Sequence, residues 1–197
     1  MEKMNGDVRP TLNEYLNRSN QELADLYEIL KNTKTDINEH LPTLKQLSSE
    51  CEHVTEMGTR YGVSTVGFLA GEPKVLECYD ISKQSTIPKI EKLIKKTIFI
   101  FHEKDTTAVD IKETDLLFID TLHTYKQLKK ELELHAEKAI KYIVLHDTET
   151  FGFVSESNKN EKGLKFAIDE FLNLNKNWEK FKHYKNNNGL TVLKRTN

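Results

Sequence analysis

The stretch His53–Thr65, HVTEMGTRYGVST, decides how this chain is read, together with the acid-ended run KVLECYD at 74–80. A short apolar and β-branched segment enters a turn built on Gly58 and Gly62, and the helix-compatible STVGFLA follows. That order of strand, turn and helix is how a nucleotide-type cofactor site opens a parallel α/β sheet. Gly58 permits a sharp turn and lets a ligand come close to bare backbone, Gly62 relieves crowding where the next helix starts, and Ser64 is placed to cap that helix. A dinucleotide fingerprint, G-x-G-x-x-G, uses its middle glycine to clear a pyrophosphate. The pattern here is E-x-G-x-x-x-G, without that glycine, so a ligand lacking a pyrophosphate fits better. The plainer alternative is a strand, turn and helix with two turn glycines and no ligand.

Working outward, 197 residues with a 37% hydrophobic share suit one globular domain with a sizeable core. Lysine plus arginine total 29 against 31 acids, so a net charge of -2 gives no general grip on nucleic acid or on an anionic membrane. Two cysteines, Cys51 and Cys78, make no disulfide framework, and no apolar run has the length of a membrane span or signal peptide. A soluble, reducing, cytoplasmic setting is the expectation.

Residues 1–10 are polar and expected to fray. Leu12, Tyr15, Leu16, then Leu23, Leu26, Tyr27 and Leu30 recur at helical spacing, with a break near Asn17–Asn20. They predict one or two helices capping the sheet or forming part of a lid. A further helix over about 41–51 starts near Pro42 and leads to the first strand. We expect an N-terminal helical extension over 1–36 and the main domain over 37–197.

After Asp80 the alternation continues. STIPKIEKLIKK at 85–96 predicts a helix capped by Ser85 or Thr86, and TIFIFHEKD at 97–105 predicts a third strand. DLLFIDTLHTYKQLKKELELHAEKAI at 115–140 predicts a buried strand to Asp120, a turn with His123 and Tyr125, and a helix facing inward with Leu128, Leu132, Ala136 and Ile140. YIVLHDTETFG at 142–152 repeats the design and ends in His146 and Asp147. In a doubly wound sheet both strand ends open onto one crevice, so Asp120, His123, His146 and Asp147 should converge. GLKFAIDEFLNLN at 163–175 reads as an amphipathic helix, and the segment from Trp178 onward reads as a hairpin turning at NNNG. His40, His53, His102, His135 and His183 follow no ligand spacing and read as surface or packing residues.

EMGTRYGVS, with Glu56 leading the glycines, resembles motif I of the class I S-adenosylmethionine-dependent methyltransferases, and IDTLHTY and HDT resemble segments of their methyltransferase domain 24 type, related to cephalosporin-hydroxylase-like and sugar O-methyltransferases. The resemblance spans about residues 37–195. It implies a Rossmann-like, doubly wound seven-stranded α/β sheet, mostly parallel with a C-terminal antiparallel hairpin, here with an N-terminal helical cap. It further implies that Glu56, Gly58, Thr59, Arg60, Gly62 and Ser64 line the methionine side of S-adenosylmethionine, that Asp80 holds the ribose diol, and that Asp105, with Glu103 as an alternative, lies by the adenine. Arg60 has two other directions open to it, solvent and substrate.

Methyl transfer to oxygen needs a hydroxyl placed opposite the sulfonium and a base for its proton. His123 is the first choice of base, with Asp120 beside it, because an unperturbed imidazole titrates near neutral pH. A divalent metal held by Asp120, His146 and Asp147 is the other way to acidify the hydroxyl. Relatives use magnesium on acids at these strand ends. His146 departs from that pattern and suits a softer ion better. The expected activity is O-methylation of a sugar or small-molecule hydroxyl, with a cofactor-binding pseudoenzyme or accessory subunit as the alternative and homo-oligomerisation left open. A nicotinamide-dependent oxidoreductase is disfavoured by the glycine spacing, and a hydroxylase by the lack of a recognisable two-histidine, one-carboxylate set at usable spacing in the sequence.

Overall fold

The computed structural model describes residues 7–196. Its centre is a seven-stranded sheet in the order β3-β2-β1-β4-β5-β7-β6. The strands are β1 (His53–Met57), β2 (Val75–Asp80), β3 (Ile98–Glu103), β4 (Thr114–Ile119), β5 (Ala139–His146), β6 (Trp178–Tyr184) and β7 (Leu190–Arg195). β1 to β5 run parallel, while β7 pairs antiparallel with both β5 and β6. The order reverses between β1 and β4, and such a switch point opens a crevice at the carboxyl ends of the strands.

Alternation along the strands divides the core into two layers. Val54, Leu76, Cys78, Leu116 and Phe118 face one side. There they meet α1 (Arg9–Leu16), α2 (Leu23–Asn32), α3 (Leu41–Ser49), α4 (Val63–Leu69) and α5 (Ile87–Glu91). Phe68 of α4 packs edge-on against Phe118, with ring centroids 5.2 Å apart. Such a pair adds about 1 kcal/mol beyond its area burial. Met57, Tyr79, Leu117 and Ile119 face the other side, toward α6 (Tyr125–His135) and α7 (Leu164–Leu174).

Local sequence accounts for most of these boundaries. Pro10, Pro42 and Pro88 sit in the first turns of α1, α3 and α5, where a missing N–H costs nothing. Thr124 caps α6 by accepting the Gln127 N–H at 3.1 Å. The break between α1 and α2 falls where the asparagines predict it, and Asn20 has φ +60.

Four local expectations change. Residues 1–6 lie outside the described residues; within 7–10, Val8 is buried and α1 already begins at Arg9, so that part frays less than its composition suggests. Ser64 does not cap α4. Gly62 holds that position with φ +90, and the Ser64 hydroxyl turns inward to Glu56. The helix expected over 85–96 is one short stretch, because Leu93 and Ile94 close tighter turns onto Ile90 and Glu91 to bring the chain to β3. Thr86 precedes it, but its hydroxyl is spent on the Tyr61 carbonyl. Ile140 belongs to β5 and is exposed, since α6 ends at His135 and a 3-10 turn over Ala136–Lys138 follows. No helix among the described residues is long and apolar enough to cross a membrane.

Candidate functional site

The glycine turn is fixed from two sides. Gly58 has φ +85, and a Cβ built there would lie 1.9 Å from the Asp120 carbonyl oxygen. Its missing side chain therefore admits the end of β4, a backbone neighbour where the sequence suggested a ligand. Gly62, also at positive φ, would put a Cβ 2.6 Å from Ile90 Cδ1, so the crowding it relieves at the start of α4 comes from α5. Asp80 holds the loop between them. Its Oδ2 accepts the N–H groups of Thr59 at 2.9 Å and Arg60 at 2.8 Å, and its Oδ1 accepts that of Ser82 at 3.0 Å. The carboxylate at the end of β2 is thus the splint of the β1–α4 turn. Arg60 has φ +46 and reaches across to Asp36 at 2.9 Å rather than into the crevice.

Glu56 is wholly buried behind this turn. Its carboxylate accepts hydrogens from the Ser64 hydroxyl at 2.5 Å, the Thr65 hydroxyl at 2.7 Å and the Cys78 thiol at 3.0 Å. Burial pushes its pKa up to about 7, with those three donors opposing. Glu56 and Ser64 therefore tie β1, β2 and α4 together beneath the crevice. Asp105, at the end of β3, is exposed and caps the 3-10 turn Thr106–Ala108 by accepting from Thr107 N at 2.8 Å and Thr107 Oγ1 at 2.7 Å. Glu103 accepts the Lys83 N–H at 3.0 Å.

Opposite lies a compact cluster from the ends of β4 and β5. His123 Nε2 is 3.0 Å from Asp120 Oδ1 and 2.9 Å from Asp147 Oδ2, while its Nδ1 is 2.9 Å from Glu156 Oε2. The ring stacks on Phe151, with centroids 4.9 Å apart. His146 Nδ1 is 3.3 Å from Asp120 Oδ2 and 3.5 Å from Asp147 Oδ2. Asp147 has φ +58, a conformation that costs a non-glycine residue about 1 kcal/mol or more and persists where the surroundings enforce it. The four residues that the sequence predicts to converge do so.

Charge balance explains their protonation. Burial by itself lowers the His123 pKa, but Asp120 and Asp147 outweigh it and push the group up to about 10. His146 likewise rises well above the ordinary histidine value against the effect of burial. Burial raises Asp120 and Asp147, yet the two imidazoles hold both carboxyls below the usual range. The ground for choosing His123 as base, a pKa near neutrality, does not hold here. Set between two carboxylates, it keeps its proton at neutral pH.

Asp120, His146 and Asp147 place ligand atoms within 4.8 Å of one another. Two of their buried atoms, His146 Nδ1 and Asp147 Oδ1, make no hydrogen bond. Two carboxylate oxygens and an imidazole nitrogen this close together are a donor set that a divalent cation fits.

Several residues here carry no sequence signal. Glu156 comes from the polar loop 153–162. Glu131 is buried in α6 and accepts from Thr121, Thr106 and Gln127, so it ties the segments after β3 and β4 together. His40 is also buried, with its ring 5.7 Å from that of His146. A buried acid or histidine inside a polar helix face looks like any solvated one until the fold is known.

No protein-family profile matches this chain, and no curated protein matches it either. Solved structures do. The N-methyltransferase NodS from Bradyrhizobium japonicum WM9, in complex with S-adenosyl-L-homocysteine, matches over 98% of this chain and 100% of its own, with TM-score 0.63 and 12% identity. Magnesium protoporphyrin IX methyltransferase (ChlM) from Synechocystis PCC 6803, with bound SAM, matches over 99% and 100%, with TM-score 0.59 and 12% identity. A provisionally assigned caffeoyl-CoA O-methyltransferase from Staphylococcus aureus matches over 96% and 100%, with TM-score 0.57 and 16% identity. At these identities the likeness is one of fold. This chain has the Rossmann-like fold of the class I methyltransferases, as its motif I resemblance implies. The narrower resemblance to the domain 24 type rests on the sequence motifs alone.

Proposed function

We propose that this protein is an S-adenosylmethionine-dependent methyltransferase acting on a hydroxyl of a sugar or small molecule. The observation that carries the reading is the meeting, across one switch-point crevice, of the Asp80-splinted glycine turn with the Asp120–His123–His146–Asp147 cluster. One side suits a nucleoside sulfonium and the other handles a proton.

On the cofactor side, Asp80 Oδ1 accepts only the Ser82 amide, so it keeps a lone pair for a ribose hydroxyl. Gly58, Thr59, Arg60 and Gly62 offer turn backbone to the methionine end, with Glu56 and Ser64 supporting them from below. Asp105 and Glu103 stand at the β3 end, where the adenine would lie. On the acceptor side, Glu156 faces Nδ1 of His123 while Asp120 and Asp147 hold the Nε2 hydrogen, so the ring is an imidazolium at neutral pH. Nε2 takes the acceptor's proton only after giving its own to solvent, which rising pH favours. Glu156 stabilises the imidazolium, and Asp120 fixes the direction of Nε2. Asp120, His146 through Nδ1 and Asp147 would hold a divalent cation. When bound, that ion supplies positive charge that makes an acceptor hydroxyl easier to deprotonate. The ring of Phe151 keeps His123 in place and water off one face.

A screen with S-adenosylmethionine labelled at the methyl group, over glycans and phenols with and without a divalent cation, tests this reading. We expect transfer to a hydroxyl that is stimulated by the cation and lost in Asp120→Asn and His123→Asn. Tight binding of S-adenosylhomocysteine without transfer to any acceptor would favour the pseudoenzyme instead.

A further inference from the structure

The turn of the C-terminal hairpin does more than reverse the chain. It packs under the cation-binding end of the crevice and is gripped by the segment ahead of α3. The Asn187 carbonyl lies 3.2 Å from His146 Nε2, and a carbonyl oxygen can only accept. Nε2 therefore carries a hydrogen, and Nδ1 is the nitrogen turned toward Asp120 and Asp147. Fixing one ring nitrogen by an outer hydrogen bond is how proteins choose which nitrogen of a histidine binds a metal.

That carbonyl is itself fixed from three directions. His40 Nε2 lies 3.1 Å from the carbonyls of both Asn186 and Asn187. Both partners are carbonyl oxygens, which only accept, so His40 carries a hydrogen on Nε2. Asn187 Nδ2 donates to the Thr35 carbonyl at 2.7 Å, and Asn187 Oδ1 accepts the Glu39 N–H at 2.9 Å. Asn187 has φ +46, which asparagine tolerates better than most residues. Both ends of its amide are thus used by a segment about 150 residues away in sequence, as the separations of 152 and 148 positions record.

We propose that Asn187, held by Thr35, Glu39 and His40, is a positioning residue that orients His146 so that Nδ1 is its ligand atom. This role rests on the cation assigned under the proposed function. It gives the N-terminal segment a part in the site beyond covering the sheet.

The test compares the full chain with Asn187→Asp and Asn187→Gly. The first keeps the acceptor for Glu39 and loses the donor to Thr35; the second loses both and still reaches positive φ. Calorimetric titrations with Mn2+ and, separately, with S-adenosylhomocysteine are read beside thermal melting. We expect Mn2+ affinity to fall about tenfold in the glycine variant and less in the aspartate variant, as for other outer partners of metal ligands. Affinity for S-adenosylhomocysteine should stay within about threefold in both. Unchanged Mn2+ affinity in a folded variant, or an equal loss for both ligands, overturns the positioning role while leaving the methyltransferase reading intact. No Mn2+ uptake by the unsubstituted protein removes the cation from the proposed function and this role with it. Should the glycine variant not fold, the aspartate variant decides alone.

Discussion

His123 Nε2 and Asp147 Oδ2 stand 2.9 Å apart, so an imidazolium neutralises a carboxylate that a cation would otherwise use. A cation bound here would therefore compete with the His123 proton for the charge of the Asp147 carboxylate. Because the His123 pKa is raised to about 10, the proton is held throughout the neutral range. Apparent Mn2+ affinity should climb as pH rises from about 6 to about 9, with proton release visible in buffers of different ionisation enthalpy. In His123→Asn that component should shrink; a pH-independent affinity in the unsubstituted protein contradicts the competition.

Glu56 gives a stability prediction of definite sign. Its folded pKa is raised from 4.5 to about 7, chiefly by burial, so the folded protein holds a proton there that the unfolded chain has already lost. Its contribution is full below the unfolded value and is lost as pH rises through about 7. The change across that interval is on the order of 3 kcal/mol. Urea denaturation of Glu56→Gln should show a flatter pH dependence than the unsubstituted protein over this window. Parallel curves for the two would mean that Glu56 is ionised in the folded state at every pH tested.

Gly58 tolerates no side chain. A Cβ there would lie 1.9 Å from the Asp120 carbonyl oxygen, at a backbone φ of +85. Gly58→Ala should cost about 2 kcal/mol or more in chemical denaturation. Because the displaced atom belongs to Asp120, Mn2+ binding should weaken as well. An alanine variant of unchanged stability contradicts the packing described.

Much of this architecture is legible in the residues themselves. Apolar runs ending in acids mark the parallel strands, and NNNG marks the final reversal, because both signals are local. The convergence of Asp120, His123, His146 and Asp147 follows from strand polarity alone. The contacts made by His40, Glu131, Glu156 and Asn187 do not follow, because each is set by partners that only the assembled fold brings close. Asp80 reads in the sequence as a ligand group, and the structure adds the loop amides it already holds. The shortness of α5 is not legible in the sequence, because Ile90, Leu93 and Ile94 keep helical spacing in a segment that must turn early to reach β3.

The most direct test is a calorimetric titration of S-adenosylhomocysteine into the purified protein and into Asp80→Ala. The account predicts saturable single-site heat for the first and at least about a tenfold loss of affinity for the second, since the substitution removes both the ribose acceptor and the splint of the glycine turn. No heat from the unsubstituted protein, or equal affinity in the variant, contradicts it.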